Sequence, residues 1–284
     1  MLNNDGRIYH LNLVPEDIGS TIFLVGDPAR VQMMSSLFDK VEIKIQNREF
    51  HTHTGYYNGQ RISVISTGIG TDNIDIVLNE LDALVNINLK TRSVLENSTA
   101  LKFIRVGTSG SLKAEIEPGD VIVSTIAGGL DNLLHFYKDS QNVMHTDLND
   151  SFRSHMNWQK SSLAPYFVSA SPDLEAKITA NRYYKGITLS APGFYGPQGR
   201  ALRMPLAYVE MIEQIQSFSF NNLSVLNLEM ESSAIFGLSK LLGHEAITLC
   251  LALANRETGK FLTDYKSRMK EILAEILDQF TSYD

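Results

Sequence analysis

Asn227-Leu228-Glu229-Met230-Glu231-Ser232-Ser233 is the stretch in which a strand gives way to a helix. Residues 225–226 before it are apolar, and residues 235–242 after it repeat apolar side chains at helical spacing. Open α/β sheets bind their ligands at the carboxyl ends of strands. In a fold of that class, the carboxylates of Glu229 and Glu231 therefore lie at a candidate binding site.

The Glu231 carboxylate has two interpretations. Because a carboxylate accepts two hydrogen bonds, it suits the vicinal diol of a ribose. An ordinary helix start is the other interpretation, since acidic side chains stabilise the N-terminal end of a helix dipole. This stretch alone leaves both interpretations open.

The composition is typical of an ordinary globular protein. The chain has 284 residues, of which 43% are hydrophobic and 20% charged, and no linker divides it, so we expect a single domain over residues 1–284. The net charge of -7 argues against general nucleic-acid binding, although a small basic pocket still has room for an anion.

Nothing in the sequence indicates export or a membrane. Cys250 is the only cysteine, so no internal disulfide forms. Residues 1–5 lack the basic and apolar regions of a signal peptide, and no apolar run approaches the ~20 residues of a membrane helix. We therefore expect a soluble, cytoplasmic protein.

Two arginines lie close to the ends of predicted strands, and each is beside a turn that contains glycine. Arg30 lies in Gly26-Asp27-Pro28-Ala29-Arg30, between strand 21–25 and a helix, where backbone amides and the helix dipole favour an anion. Arg105 ends strand 101–106, and the hydroxyls of residues 107–111 form a second candidate anion cradle in a predicted turn. A solvated arginine in an ordinary turn is the alternative for each.

The loop 191–200 carries an aromatic ring, an amide and a guanidinium, in Phe194, Gln198 and Arg200. These groups read a planar base, because the ring stacks on its face while the others bond its edge. A surface turn is the alternative. A helix over 206–217 follows, and the continuous apolar run 246–253 predicts a strand covered on both faces.

The remaining patterns carry less chemistry. Residues 41–66 alternate as hairpin strands with a turn at Asn58-Gly59, and residues 7–13 alternate as an extended arm. His51 and His53 share a strand face, but without further ligands nearby they are interpreted as structural. Residues 126–165 have a weak pattern that predicts an irregular insertion.

Together, these stretches resemble the nucleoside phosphorylase family, and within it the enzymes that cleave uridine. Order and approximate spacing carry the resemblance from about residue 10 to 256. The matching motifs are GDPAR at 26–30, REF at 48–50, STGIG at 66–70, RVGTSG at 105–110, FYGPQGR at 194–200, NLEMES at 227–232 and ANR at 254–256.

The resemblance implies a single α/β domain whose central mixed sheet curls towards a barrel and is flanked by helices. It also implies three subsites. The phosphate subsite comprises Gly26, Arg30, Arg48, Arg105 and Thr108; the ribose subsite His10, Ser109, Glu229, Met230 and Glu231; and the base subsite Phe194, Gln198, Arg200 and, through water, Arg256. Arg30, Arg105, Glu231 and Arg200 are the expected catalytic residues.

The implied reaction is the reversible cleavage of uridine by phosphate to uracil and ribose 1-phosphate, a step of pyrimidine salvage. His10 and Arg48 are expected from the neighbouring subunit, which implies a homo-oligomer of at least two subunits, with a hexamer as the family's usual form. Phosphate is the co-substrate, and no cofactor is expected.

The sequence departs from the family at two places. Purine-cleaving relatives carry an aspartate before the Phe-Tyr pair to protonate the base, and uridine-cleaving relatives also often have an acid there, whereas Pro192-Gly193 stands here. This departure weakens the purine interpretation more than the uridine one, because Gln198 and Arg200 remain. Glu49 and Ile69 match a monovalent cation site of some relatives, but Asn73 replaces a serine there. The resemblance thus leaves a potassium ion at this place open, and no other metal is expected.

Three alternatives remain for the activity. A purine nucleoside phosphorylase and a nucleosidase that uses water share the family's fold. A nucleoside-binding protein without catalysis is the third. The arginines at positions 30, 48 and 105 argue against water as the nucleophile, because a hydrolase does not need that much positive charge.

Overall fold

The computed structural model describes residues 2–158, 161–179 and 182–281. Its strands are β1 Thr21–Val25, β2 Lys40–Asn47, β3 Phe50–Tyr57, β4 Gln60–Ser66, β5 Ile87–Asn88, β6 Ser93–Val94, β7 Lys102–Ser111, β8 Val121–Gly129, β9 Tyr166–Ser169, β10 Tyr184–Ser190, β11 Ser219–Phe220, β12 Leu223–Glu229 and β13 Glu245–Asn255. Its α-helices are α1 Pro28–Ser35, α2 Thr71–Asn86, α3 Thr146–His155, α4 Pro172–Ala176, α5 Met211–Ser217, α6 Ser232–Leu242 and α7 Tyr265–Thr281.

Except for β5 and β6, the described strands form one mixed sheet in the order β11-β12-β10-β8-β13-β7-β1-β4-β3-β2, with β9 beside β8. An additional pairing of β12 with β7 closes five strands into a barrel. The strand β13 is parallel to β7 and antiparallel to β8. The predicted fold class, a mixed α/β sheet that curls towards a barrel and is flanked by helices, is confirmed.

The hairpins β2–β3–β4 extend the sheet beyond the barrel. The turn between β3 and β4 is at the predicted Asn58-Gly59, where both residues have positive φ, at 48° and 71°. Most residues with a side chain are unfavourable at positive φ, but asparagine tolerates it and glycine has no Cβ, so this pair suits the hairpin turn. His51 and His53 both lie on β3, and the His53 ring bonds the Ser35 hydroxyl, in agreement with a structural role.

The described residues form two large apolar cores and one small apolar cluster of four buried residues. The larger core contains the inner faces of α1, α2, α6 and α7 against the sheet. The smaller of the two cores is rich in aromatic rings, and Phe152 at its centre packs edge-on against Phe167 and Phe218. Phe152 belongs to α3, so part of the segment 126–165 is ordered helix rather than the irregular insertion that its weak pattern predicted.

Three further local predictions are wrong. Residues 107–111 continue β7 instead of forming a turn, because they pair with β13 and β12. Residues 7–13 form turns instead of an extended arm, with Ile8 N and Leu13 O joined at 2.9 Å. Residues 206–210 precede the helix α5, which begins only at Met211.

No helix in the part of the chain that the structure describes has the length and apolar character needed to cross a bilayer.

Candidate active site

A cavity of about 970 Å³ opens at the carboxyl ends of β1, β4, β7, β12 and β13. Six of the seven sequence motifs, from different parts of the chain, converge there, as expected for an α/β sheet. The residues that line it include Gly26, Arg30, Arg105, Thr108, Ser109, Phe194, Gln198, Arg200, Glu229, Met230, Glu231 and Arg256.

One end of the cavity holds two buried guanidinium groups. Arg30 is in the first turn of α1, and its Nη1 donates to the Val106 carbonyl at 3.1 Å, while its buried Nε has no partner among the described residues. Arg105 on β7 also keeps a buried nitrogen, Nη1, that no described residue bonds. Burial lowers the pKa of Arg30. The unpartnered N–H groups are suited to the oxygens of an anion.

Glu231 ties this end of the cavity to the helix α6. Its Oε1 accepts the Gly70 amide at 2.7 Å, and its Oε2 accepts a hydrogen bond from Arg105. Burial raises the pKa of the Glu231 carboxyl, and the Arg105 guanidinium opposes that effect. Burial acts to lower the pKa of Arg105, but the neighbouring carboxylates outweigh burial, so this pKa is raised. Each carboxylate oxygen has a second lone pair, so Glu231 retains acceptors for sugar hydroxyls.

Glu229 holds the start of α6 in place. Its carboxylate accepts hydrogen bonds from the Glu231 and Ser232 amides at 3.0 Å and from the Ser190 hydroxyl at 2.5 Å. Glu229 Oε2 also lies 3.4 Å from Arg105 Nε. It therefore caps the helix and orients the Glu231 backbone, a role that the resemblance did not indicate.

Ser109 is held by buried polar groups behind the cavity. The Asn227 amide nitrogen donates to Ser109 Oγ at 2.9 Å, and Asn227 Oδ1 accepts from Thr188 at 2.7 Å. All three side chains are buried. These buried hydrogen bonds fix the position of the Ser109 oxygen.

The other end of the cavity carries the groups that suit a planar base. The guanidinium carbon of Arg200 lies 3.9 Å from the centre of the Phe194 ring, and its Nη1 donates to Gln198 Oε1 at 2.6 Å. Arg256 is close enough to Arg200 for the two charges to interact. Burial, followed by the charge of Arg200, lowers the pKa of Arg256 to about 10. Two cationic groups and an amide thus face this end.

Comparisons with known proteins identify the family of this chain. Residues 20–278 match the family model described as the phosphorylase superfamily. The chain belongs to the phosphorylase superfamily. This confirms the family resemblance that the sequence motifs indicated.

Individual relatives match this superfamily member over most of its length. A uridine phosphorylase of Thermococcus kodakarensis is 30% identical over 257 residues, which cover 90% of this chain and 80% of the relative. A guanosine phosphorylase of Halorubrum lacusprofundi is 26% identical, covering 88% and 84%. A Trypanosoma brucei nucleoside phosphorylase, whose structure is described as showing uridine phosphorylase activity, has 30% identity, covers 98% of both chains and gives a TM-score of 0.87.

Two predicted site residues lie outside the cavity of their own phosphorylase chain. His10 is in the 8–13 turn and Arg48 in the turn between β2 and β3, and neither lines the cavity. The two turns are neighbours, because the Asn47 amide donates to the His10 carbonyl at 2.7 Å. Both residues therefore lie on one surface, apart from the cavity.

The three residues of the predicted monovalent cation site lie close to one another in this superfamily member. Glu49, Ile69 and Asn73 do lie together, since a Cβ on Gly68 would be 3.3 Å from Glu49 Cγ and 2.4 Å from Asn73 Nδ2. However, Asn73 presents this nitrogen to the Ile69 carbonyl at 3.5 Å. A potassium ion at this place stays a prediction.

The base end differs from what a purine-cleaving phosphorylase needs. Among the described residues that line the cavity, the carboxylates are Asp27, Glu229 and Glu231. All of them belong to the motifs at the anion and sugar end. Pro192-Gly193, before Phe194, supplies no acid, so no carboxyl group is placed to protonate a ring nitrogen of a base.

Three residues that serve the site were missed from the sequence. The Gly70 amide and the Ser190 hydroxyl bond the carboxylates of Glu231 and Glu229. Glu80 on α2 bonds His10 across 70 residues of sequence. Gly70 immediately precedes α2 and Ser190 is the last residue of β10, and each of these positions is only a weak signal. Glu80 is one of several polar residues on an amphipathic helix, and no local pattern singles it out.

Proposed function

We propose that this chain is a uridine phosphorylase, a pentosyltransferase that cleaves uridine reversibly with inorganic phosphate to uracil and ribose 1-phosphate. One observation carries the proposal. A single cavity is lined by three sets of groups: guanidinium nitrogens that no described residue bonds, the Glu231 carboxylate, and the Arg200–Gln198 pair. They suit, in that order, a phosphate, a ribose and a uracil.

At the anion end, the reaction needs phosphate beneath the sugar. Arg30 and Arg105, with the Thr108 hydroxyl, hold the phosphate and place one of its oxygens towards the anomeric carbon. As the glycosidic bond lengthens, the ribose gains oxocarbenium character, which the phosphate charge stabilises. Arg48 of the neighbouring subunit adds a further positive charge in this proposal.

At the sugar, Glu231 accepts hydrogen bonds from the ribose hydroxyls, with Met230 against the ring. The contacts of Glu231 to Gly70 and Arg105 keep its carboxylate in one place before substrate binds. Such fixed positioning converts a meeting of two reactants into a single oriented complex, which contributes much of the rate in reactions of this kind.

At the base, uracil leaves as an anion whose charge is spread over its carbonyl oxygens. Gln198 and Arg200 donate to that charge, with Arg256 behind them, so the reaction needs no general acid. A well-placed donor to a developing negative charge contributes roughly 3 kcal/mol. Phosphate is the co-substrate, and no step of the proposal passes through a metal or another cofactor.

The assembly in this proposal is a homo-oligomer of at least two subunits, in the cytoplasm. Its support is the common surface of His10 and Arg48, whose turns are joined by Asn47 and lie apart from the cavity of their own chain. In a symmetric dimer each subunit then completes the site of the other.

The test compares three nucleosides, uridine, thymidine and inosine, each with and without phosphate, by separating the released bases. We expect uridine to be consumed only when phosphate is present. Cleavage of inosine but not uridine would establish the purine alternative. Cleavage without phosphate would establish a nucleosidase, and binding without turnover would establish a nucleoside-binding protein.

A further inference from the structure

Glu80, on the helix α2, bonds both the backbone and the ring of His10. Its Oε1 lies 2.7 Å from His10 Nδ1 and accepts the His10 amide at 3.0 Å. Its Oε2 accepts the Leu11 amide at 2.9 Å and shares the His10 amide at 3.0 Å. A single carboxylate therefore fixes the turn that carries the histidine and the direction of its ring.

The rest of this turn is also held firmly. Ile8 and Leu13 on either side of His10 are buried in the larger core, as is Leu11. The Asn47 amide bonds the His10 carbonyl from the other side. The His10 ring, with 26% of its side chain exposed, thus projects from a rigid base towards the surface.

The Glu80 carboxylate also selects the proton position of the imidazole. An ionised carboxylate only accepts hydrogen bonds, so His10 Nδ1 must carry a proton to bond it. In the neutral ring, the proton on Nδ1 leaves Nε2 as an acceptor. Within the described chain, Nε2 has no hydrogen-bond partner, so the turn presents a free acceptor at the surface it shares with Arg48.

We propose that Glu80 is a positioning residue, which holds His10 Nε2 as an oriented acceptor for the 5′-hydroxyl of a ribose bound by the neighbouring subunit. Glu80 itself touches no substrate. This inference rests on the proposed function, because it assigns the ligand of His10 from the nucleoside bound in the neighbour's cavity.

The test measures kcat/KM for uridine and for 5′-deoxyuridine, which lacks the hydroxyl in question. In Glu80→Gln the amide presents a donor and an acceptor, so it no longer dictates which ring nitrogen is protonated. We expect this variant to lose about fivefold on uridine, the value of one neutral hydrogen bond, while 5′-deoxyuridine stays unchanged. His10→Ala should show the same selective loss, and the double variant no more than His10→Ala.

Asp75→Asn is the matched control, since Asp75 is another carboxylate on α2 but bonds Tyr137 and Asn79 instead. It should leave the ratio between the two substrates unchanged. An equal loss on both substrates in Glu80→Gln would mean that Glu80 is only structural, and no loss on either would mean that its charge is not needed. Both results would overturn the inference.

Failure of the inference is distinguishable from failure of the proposed function. If the unaltered enzyme cleaves uridine with phosphate but His10→Ala keeps the substrate ratio, His10 does not read the 5′-hydroxyl and the inference fails alone. If the unaltered enzyme does not cleave uridine with phosphate, the proposed function fails as well.

A spectroscopic measurement tests the same inference without activity. Nitrogen NMR of the histidine rings, with His10 assigned by its loss in His10→Ala, reports which ring nitrogen is protonated. At a pH where the ring is neutral, we expect the proton on Nδ1 in the unaltered chain and a mixture of both forms in Glu80→Gln. A proton on Nε2 in the unaltered chain would contradict the inference.

Discussion

At the scale of single residues, Arg30 and Arg105 explain why this cavity suits an anion. A buried charge is costly unless it is paired and hydrogen-bonded. Arg105 is compensated by the carboxylates of Glu229 and Glu231, whereas the hydrogen bond of Arg30 within the described chain goes to the neutral carbonyl of Val106. A bound phosphate would complete the partners of both guanidinium groups.

Arg30→Ala should therefore weaken phosphate binding more than uridine binding. A hydrogen bond to a charged group contributes about 1.5–3 kcal/mol, so we expect the KM for phosphate to rise roughly 10- to 100-fold. The KM for uridine, measured at saturating phosphate, is the internal control and should change much less. Equal rises in both constants would place Arg30 outside the phosphate subsite.

Arg200→Ala should reduce uridine turnover much more than it disturbs folding. With the leaving uracil deprived of a donor worth about 3 kcal/mol, kcat should fall roughly 100-fold. Arg203→Ala, three positions along the same loop and exposed, is the control and should keep full activity. If thermal unfolding of Arg200→Ala shows a loss of stability that matches the loss of activity, the guanidinium is structural.

At the scale of elements, the strands β7 and β13 decide the shape of the site, and here sequence patterns were least reliable. The glycines and hydroxyls of residues 107–111 have the composition of a turn, yet they extend β7. A Cβ on Gly107 would lie 2.9 Å from the Cys250 sulfur of β13. The glycine therefore serves the close approach of two strands, and only the three-dimensional pairing reveals this.

Cys250 of β13 should be inert in the folded protein. Burial, together with the charge of Glu229, raises the pKa of its thiol to about 12, and only the thiolate reacts readily. At pH 8 we expect no modification by iodoacetamide, measured as intact mass, and complete modification of the same sample in urea. Rapid modification of the folded protein would show that the centre of the barrel opens.

The helix starts at α1 and α6 were predictable, because each combines a strand end, a polar cap and helical apolar spacing in one stretch. The hydrogen bonds from the Glu229 carboxylate to the first amides of α6 were not predictable, since a carboxylate at this place suits a ligand equally well. Glu80 was not predictable either, because its partner His10 lies 70 residues away and the helical pattern marks it only as polar.

At the scale of the whole molecule, the seven motifs gave the correct fold class, and most of them lie at strand ends of the sheet. Six of them supply residues to one cavity, whereas Arg48 of the seventh lies on a separate surface together with His10. Neither composition nor periodicity predicts which residues serve a neighbouring subunit. That assignment comes from the resemblance, and the separation of the two surfaces supports it.

Mixing two inactive variants tests whether sites are shared. Arg48→Ala should lose activity because it deprives its neighbour, and Arg105→Ala because it damages its own cavity. After joint unfolding and refolding of equal amounts, a mixed dimer has one complete site, so about a quarter of the unaltered activity should return. Each variant refolded alone is the control. No recovery on mixing would place Arg48 in the cavity of its own chain or outside the site.

The central claim is that phosphate attacks the ribose of uridine in this cavity, and phosphorus NMR of the reaction tests it most directly. With uridine and inorganic phosphate, we predict that a ribose 1-phosphate signal grows as fast as uracil is released, one for one. Release of uracil together with free ribose, while the inorganic phosphate signal stays constant, would contradict the account.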